Sequence, residues 1–340
     1  MTPKKTSLKF LVIQTAFIGD AVLATGIVEK LQAYFPDAEI DYLVRKGNEG
    51  LFREHPFIHE VLVWNKQEGK TKNLFRMLSI IRSRKYDKVI NVQRFAATGI
   101  LTAFSSAKEK IGFDKNPLSF LFTTKVKHVI STSRHPLHET ERNNALIAHI
   151  TDDKVFLPKL YPTATDREKV LPYQQHRYVC IAPASVWFTK QFPATKWIDF
   201  IKKTPADVYI YLLGAASDKN LCDQIIAACG RTNINNLCGQ LSFLASAALM
   251  KGAVMNYVND SAPMHFASAV NAATTAVYCS TLPSFGFGPL SDKKYIVEVR
   301  EKLDCRPCGL HGLKACPLGH FNCAHYIRDE QLLKTLSAAL

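Results

Sequence analysis

The sequence predicts an α/β chain of two consecutive parallel-sheet domains, and three observations carry that prediction. Short apolar runs alternate with segments of helical periodicity in both halves. The alternation fails between about Lys125 and Arg167, where Pro136, Pro158 and Pro162 interrupt it, and then begins again. At 340 residues, 47% hydrophobic and 21% charged, the chain is long for one core and sufficient for two. The boundary falls near Leu160, giving domains at 1–160 and 161–328 and a last helix at 329–340.

In the first half, Leu8–Gln14 reads as a buried strand, Thr15–Asp20 as a loop, and Ala21–Phe35 as a helix with apolar residues at helical spacing. Ile40–Val44 and Val61–Trp64 are further strands, and Leu74–Arg84 is a basic amphipathic helix leading to a strand at Lys88–Val92. The second half opens with the strand Tyr178–Ala182 and a helix from Trp197. The strand Val208–Leu213 and helices Leu221–Cys229 and Leu244–Lys251 come next. A buried strand at Val254–Val258 then runs into Asn259-Asp260-Ser261-Ala262-Pro263-Met264-His265, and Thr275–Tyr278 is the last strand assigned. Two such series make two Rossmann-like domains facing a cleft, with ligands expected at the carboxyl ends of the strands. The last helix, Asp329–Leu340, has no partner in its own neighbourhood.

The net charge of +14 is uneven. Residues 66–127 hold 14 Lys and Arg against four acids, which suits an anionic partner such as nucleic acid, phosphorylated glycolipid or a membrane surface. Arg82, Arg84 and Lys85 are the densest cluster there and the candidate acceptor contacts. No RNA-recognition signature or aromatic-interleaved basic strand is present, so nucleic acid is not the expected partner. Lys4-Lys5 before an apolar run has a leader-like beginning, but Gln14, Gly19 and Asp20 interrupt the run. No stretch reaches the length of a membrane span, and a cytoplasmic location is expected, with peripheral contact on the inner face of the inner membrane.

Three loops carry candidate chemistry. Asp20 follows the first strand, either as a base at a strand-to-helix corner or as a favourable charge in a helix's first turn. Neither Gly-x-Gly-x-x-Gly nor Gly-x-x-x-x-Gly-Lys-Ser/Thr occurs. Ser185, Thr189 and Lys190 follow the strand at 178–182 and offer hydroxyls and a cation to a diphosphate, or form an irregular surface loop. Asp260 or Ser261 can cap a helix with Pro263 in its first turn, where the dipole attracts phosphate. Ser261 and His265 lie four apart on that helix; a capped helix with a satisfied histidine is the plainer alternative.

Phe17-Ile18-Gly19-Asp20, Ala184-Ser185 with Thr189-Lys190 and Phe192-Pro193, Gly239-Gln240-Leu241-Ser242, and Asp260-Ser261-Ala262-Pro263-Met264-His265 occur in this order. In this the chain resembles the lipopolysaccharide heptosyltransferases over nearly its whole length. The resemblance implies the two-domain GT-B arrangement, with acceptor on the first half, ADP-heptose on the second, and the last helix crossing back to the first domain. It implies an inverting transfer to the core of a lipid-linked, anionic oligosaccharide with no cofactor required. By the same resemblance Asp20 is the base, and Lys190 with Ser185 and Thr189 meets the diphosphate. Asp260, Ser261, Ala262 and His265 form the donor motif. Ala262 departs from the family pattern, where Gly is common, which tightens the approach of the backbone to the donor. The alternatives are another nucleotide sugar on the same fold, or a non-catalytic protein binding anionic glycolipid or nucleic acid.

Cys305-x2-Cys308-x7-Cys316-x6-Cys323 places four of the nine cysteines in nineteen residues. That density points to a metal, most simply a structural tetrahedral zinc, with His311, His320 and His325 as substitute ligands. Four reduced structural cysteines are the alternative. Cys180, Cys222, Cys229, Cys238 and Cys279 sit in apolar contexts and read as core.

Overall fold

A computed structural model describes residues 7–66, 69–132 and 135–340. Lys4 and Lys5, and with them the leader-like beginning, lie outside the described residues. The chain divides into two compact units, Met1–Ile130 with Leu137–Tyr161, and Ser131–Pro136 with Pro162–Leu340.

The first unit contains, in order, β1 (Lys9–Ile13), α1 (Ile18–Leu23), α2 (Thr25–Tyr34), β2 (Glu39–Arg45), β3 (Glu60–Trp64), α3 (Lys70–Arg84), β4 (Lys88–Asn91), α4 (Ala96–Ala103), β5 (Glu109–Phe113), β6 (Thr124–Val126) and α5 (Glu139–Ala145). Its six strands form one sheet in the order β3-β2-β1-β4-β5-β6, every pair parallel. Phe10–Ile13 are fully buried, so β1 is a near-continuous apolar run, as a strand covered on both faces requires. One core layer joins Leu11, Ile13 and Leu43 to Met77, Leu78 and Ile81 of α3 and Leu101 of α4.

The second unit contains α6 (Ala164–Val170), β7 (Tyr178–Ala182), α7 (Ala194–Lys203), β8 (Tyr209–Leu212), α8 (Lys219–Cys229), β9 (Ile234–Asn236), α9 (Phe243–Gly252), β10 (Met255–Asn259), α10 (Ala262–Ala269), β11 (Thr274–Tyr278), β12 (Lys294–Glu298), α11 (Asn322–His325) and α12 (Asp329–Ser337). Its sheet runs β12-β11-β10-β7-β8-β9, again all parallel. Numbered from its own first strand, this is the same doubly wound order as the first unit. In both sheets the direction of winding reverses between the first and fourth strands, β1 and β4 or β7 and β10. A crevice opens at the carboxyl edge of such a reversal. In these units that edge carries the first turn of α1 with Asp20 and the loop containing Gln93, and the loops containing Lys190 and Asp260.

Two expectations need correction. The helix expected from Ala21 begins at Ile18, so Asp20 stands inside the first turn of α1 and not in a preceding loop. The last helix, expected to cross back to the first domain, belongs to the second unit and packs on α7 and β12. The reason is side-chain fit. Leu332 and Leu336 are buried in the core that holds Trp197, Phe200 and Tyr257. Thr335 receives a hydrogen bond from Thr275 at 2.9 Å, and Lys203 donates to Asp329 at 2.9 Å. The helix's apolar stripe is satisfied where the chain leaves it.

Candidate functional site

In the first unit the carboxyl edge of the sheet is polar and fixed. Gln93 Nε2 donates to Gln14 Oε1 at 2.5 Å, tying the loop after β4 to the loop after β1. Lys66, just past β3, donates to Thr15 O (2.9 Å) and Thr15 Oγ1 (2.8 Å). Arg45, the last residue of β2, lies over the Phe17 ring at 5.4 Å. Gln14, Thr15 and Gln93 are buried although hydrophilic, as groups that shape a site are. Burial first, and the Arg45 charge second, bring the Lys66 ammonium down to about 8. Asp20 is half-buried beside this edge, and Tyr42 Oη donates to Ala21 O at 2.7 Å, which holds α1 in place. The Asp20 charge adds to burial in raising the Tyr42 phenol.

Arg82, Arg84 and Lys85 are elsewhere. They end α3, which leads directly into β4, so they sit at the amino edge of a sheet whose ligand edge is the carboxyl one. Arg84 is also engaged: it donates to both oxygens of Glu60 (2.5 and 2.6 Å) and to Asp41 Oδ2 (3.2 Å). Tyr86 Oη donates to the same Asp41 oxygen at 2.5 Å. Arg84 is thus a clasp between β2 and β3, while Arg82 and Lys85 are exposed at the same edge. Asp41, His59 and Glu60 bring potential metal-binding atoms within 4.8 Å of one another, but Arg84 and Tyr86 already occupy those carboxylates.

In the second unit the structure brings Lys190, Thr189, Asp260 and Ser261 together. Lys190 Nζ lies 2.7 Å from Asp260 Oδ2, both side chains largely buried. Thr281, which follows β11, donates to the same carboxylate oxygen at 2.7 Å. The Thr189 hydroxyl accepts from Ser280 Oγ (2.9 Å) and Leu313 N (2.7 Å). Asn259 ends β10 and stitches the two loops: its amide donates to Pro183 O at 2.9 Å and its carbonyl accepts from Phe192 N at 3.0 Å. Gln191 accepts from Ser185 N at 3.3 Å, closing the loop that carries Ser185.

Helix α10 starts after Ser261, whose backbone is extended and whose hydroxyl donates to Asn259 O at 3.4 Å without capping the helix. Pro263 has no N–H, and Met264 N donates to Ser261 O at 3.0 Å. The helix end therefore offers fewer backbone donors than a full first turn. Ala262 is half-buried at the helix start. His265 is buried one turn further on, its ring 6.4 Å from that of Phe287. An ammonium, hydroxyls and a helix N-terminus at one sheet edge are the parts of a diphosphate site.

Sequence reasoning missed Gln14, Thr15 and Gln93 in the first unit and Asn259 and Thr281 in the second. The readable signal was positional: each stands within a few residues of the carboxyl end of a strand.

Cys305, Cys308, Cys316 and Cys323 line a single cavity of about 260 Å³, together with Thr189, Leu313, His320 and Phe321. All nine cysteines are free thiols. Burial, and then the neighbouring thiols Cys305 and Cys316, raise the Cys308 thiol, and burial above all pushes Cys323 up to about 12.

A sequence model of glycosyltransferase family 9 (heptosyltransferase) matches residues 74–312. Lipopolysaccharide heptosyltransferase 3 of Escherichia coli is 26% identical over 279 residues, 78% of this chain and 82% of the relative. The structure of E. coli ADP-heptose lps heptosyltransferase II superposes with a TM-score of 0.79 at 20% identity, covering 98% of each chain. That of E. coli heptosyltransferase WaaC with ADP does so at 0.75 and 17%, over 98% of this chain and 100% of the other.

Proposed function

This chain belongs to glycosyltransferase family 9, the heptosyltransferases, and from that premise we propose how its residues divide the work. The activity is transfer of heptose from ADP-heptose to the core of a lipopolysaccharide or lipooligosaccharide acceptor, with inversion at the anomeric carbon. The observation that carries the site assignment is the Lys190–Asp260 pair at the start of α10, beside Thr189, Ser261 and Thr281. The ADP diphosphate lies against the Lys190 ammonium and the start of α10, with Ser185 and Ser261 supplying hydroxyls. Asp260 and His265 are left for the sugar end.

Asp20 takes the proton from the acceptor hydroxyl as that oxygen attacks the anomeric carbon. The bond from that carbon to the β-phosphate oxygen breaks, and Lys190 holds the negative charge left on ADP. The anionic acceptor is met by the cations of the carboxyl edge, Arg45, Lys66 and Arg94, and not by the α3 clasp. Phe17 and Phe95 are exposed on loops at that same edge, 64% and 63%, and a basic face with protruding aromatic rings suits the surface of an anionic bilayer. Among the described residues no helix is long and apolar enough to cross a membrane, so the contact proposed is peripheral, at the inner face of the inner membrane. Catalysis draws on no cofactor in this reading, and a metal at the four cysteines would be structural. Calorimetric titration of ADP, UDP and GDP against the purified chain tests the donor assignment. ADP should bind most tightly, and equal binding of the three would remove it.

A further inference from the structure

We infer that Thr281 is a positioning residue for the donor diphosphate: its hydroxyl keeps Asp260 paired while the Lys190 ammonium turns from that carboxylate to the phosphate. This role deepens the donor assignment proposed above and rests on it.

One oxygen carries the balance of charge at the donor site. Asp260 Oδ2 lies 2.7 Å from Lys190 Nζ and accepts from Thr281 Oγ1 at 2.7 Å. Thr281 is fully buried and Asp260 nearly so, at 0% and 7% exposure. A buried carboxylate is steeply destabilised when a donor is withdrawn, because water does not replace it. A diphosphate that draws Lys190 toward itself withdraws such a donor. Thr281 is the one that stays. Its neutral hydroxyl offers a phosphate no charge to attract, and its branched Cβ restricts the rotamer. Ser261 is nearer in sequence, but its hydroxyl donates to Asn259 O at 3.4 Å instead.

The backbone that presents this hydroxyl is held from two sides. Cys279, Ser280 and Thr281 leave β11 and pass between the loop of Lys190 and the start of α10. Ser280 Oγ donates to Thr189 Oγ1 at 2.9 Å, and Ser280 N donates to Thr189 O at 3.2 Å, one residue before Lys190. Thr281 then takes Asp260. That short crossing therefore fixes where the carboxylate stands relative to the stem of the lysine. Arg306 anchors the crossing from its other side. Its Nε donates to Cys279 O at 2.7 Å, and its Nη2 donates to Thr281 O at 2.8 Å and to Tyr278 O at 3.3 Å. The same Nη2 donates to Glu298 Oε2 at 2.7 Å, and the arginine side chain is largely buried. A planar guanidinium held in this way fixes the carbonyls it binds, and with them the direction of the Thr281 side chain.

Calorimetric titration of the full chain with ADP tests this role, with adenosine as the control ligand. Thr281→Val keeps the shape and loses the hydroxyl. It should weaken ADP about tenfold, the lower end of what a hydrogen bond to a charged group contributes, and leave adenosine unmoved. Thr281→Ser, which keeps the hydroxyl, should recover most of the loss. The decisive arm repeats Thr281→Val in the Asp260→Asn background. With no carboxylate charge left to hold, the second substitution should weaken ADP no further. A Thr281 that only shaped its loop would weaken ADP equally in both backgrounds, and that result overturns the role. Where Thr281→Val fails to fold, Thr281→Ala, which places no methyl where the hydroxyl was, carries the same comparison. ADP affinity unchanged in the hydroxyl-free variants also overturns the role, and leaves the donor assignment standing. A wild-type chain that binds no ADP removes the donor assignment, and the role of Thr281 with it.

Discussion

Removing Lys190 and Asp260 singly and together gives the sharpest quantitative expectation. The pair is 2.7 Å apart and largely buried, so a bound diphosphate feels both charges. Take a phosphate oxygen about 4 Å from the ammonium and about 6 Å from the carboxylate, with an effective dielectric near 20. The attraction is then about 4 kcal/mol and the repulsion about 2.8 kcal/mol for unit charges. The intact pair contributes the difference, about 1.2 kcal/mol, close to tenfold in affinity. Lys190→Ala removes the attraction and leaves the repulsion, so ADP should weaken by roughly two to three powers of ten. Asp260→Asn should strengthen ADP binding, and the double variant should fall only about tenfold below wild type. The singles are therefore strongly non-additive, as for any two groups sharing one ligand. Calorimetry with ADP, with adenosine as control, is the assay. Weaker ADP binding in Asp260→Asn, or an adenosine loss in Lys190→Ala equal to the ADP loss, would refute the phosphate reading.

Asp20→Asn should lower turnover by about 10²–10⁴-fold with ADP affinity unchanged, the pattern of a lost general base; a variant retaining half its turnover would reduce Asp20 to a helix-end charge. Arg84→Ala should leave the acceptor KM alone and lower stability by about 1 kcal/mol in urea melts, because Arg84 clasps partly exposed Glu60 to Asp41. Lys66 is brought down to about 8 by burial and by Arg45, so acceptor KM should rise as pH climbs through 8 and the cation is lost. Lys66→Arg should hold KM flat across that range. The same depression binds fewer protons in the folded than in the unfolded chain between about pH 8 and 10.5. Wild type should thus gain stability relative to Lys66→Met as pH rises through that window, and an opposite slope in thermal melts would contradict the burial of Lys66.

The strands that carry the sites were legible because parallel strands buried on both faces read as apolar runs. Phe10–Ile13 and Tyr178–Ala182 do throughout, and Met255–Val258 does apart from Asn256. Short or edge elements were not. β6 has three residues, none buried, and β12, on a sheet edge, buries only Val297. The candidate donor loops were legible because Asp260 follows β10 directly and Lys190 lies in the loop after β7. The acceptor candidates Arg82, Arg84 and Lys85 were chosen on charge density, which carries no direction. A helix that follows a parallel strand runs back, so the cations at its carboxyl end, Arg82, Arg84 and Lys85, lie at the opposite edge from the ligand. Arg45 and Lys66, at strand ends, carry less local charge and better position. The C-terminal helix was misplaced because its apolar stripe says only that it needs a partner. Side-chain fit of Leu332 and Leu336 beside Tyr257 decided which.

The account's central claim is transfer from ADP-heptose to an anionic lipid-linked acceptor. Mass spectrometry of a purified lipid A–inner core acceptor, incubated with the chain and ADP-, UDP- or GDP-sugars in parallel, tests it most directly. The account predicts an acceptor enlarged by one heptosyl residue with ADP-heptose, release of one ADP per product, and no product from Asp20→Asn on the same time scale. A glycosylated acceptor obtained only with a UDP- or GDP-sugar would contradict it, as would ADP release without any change in the acceptor.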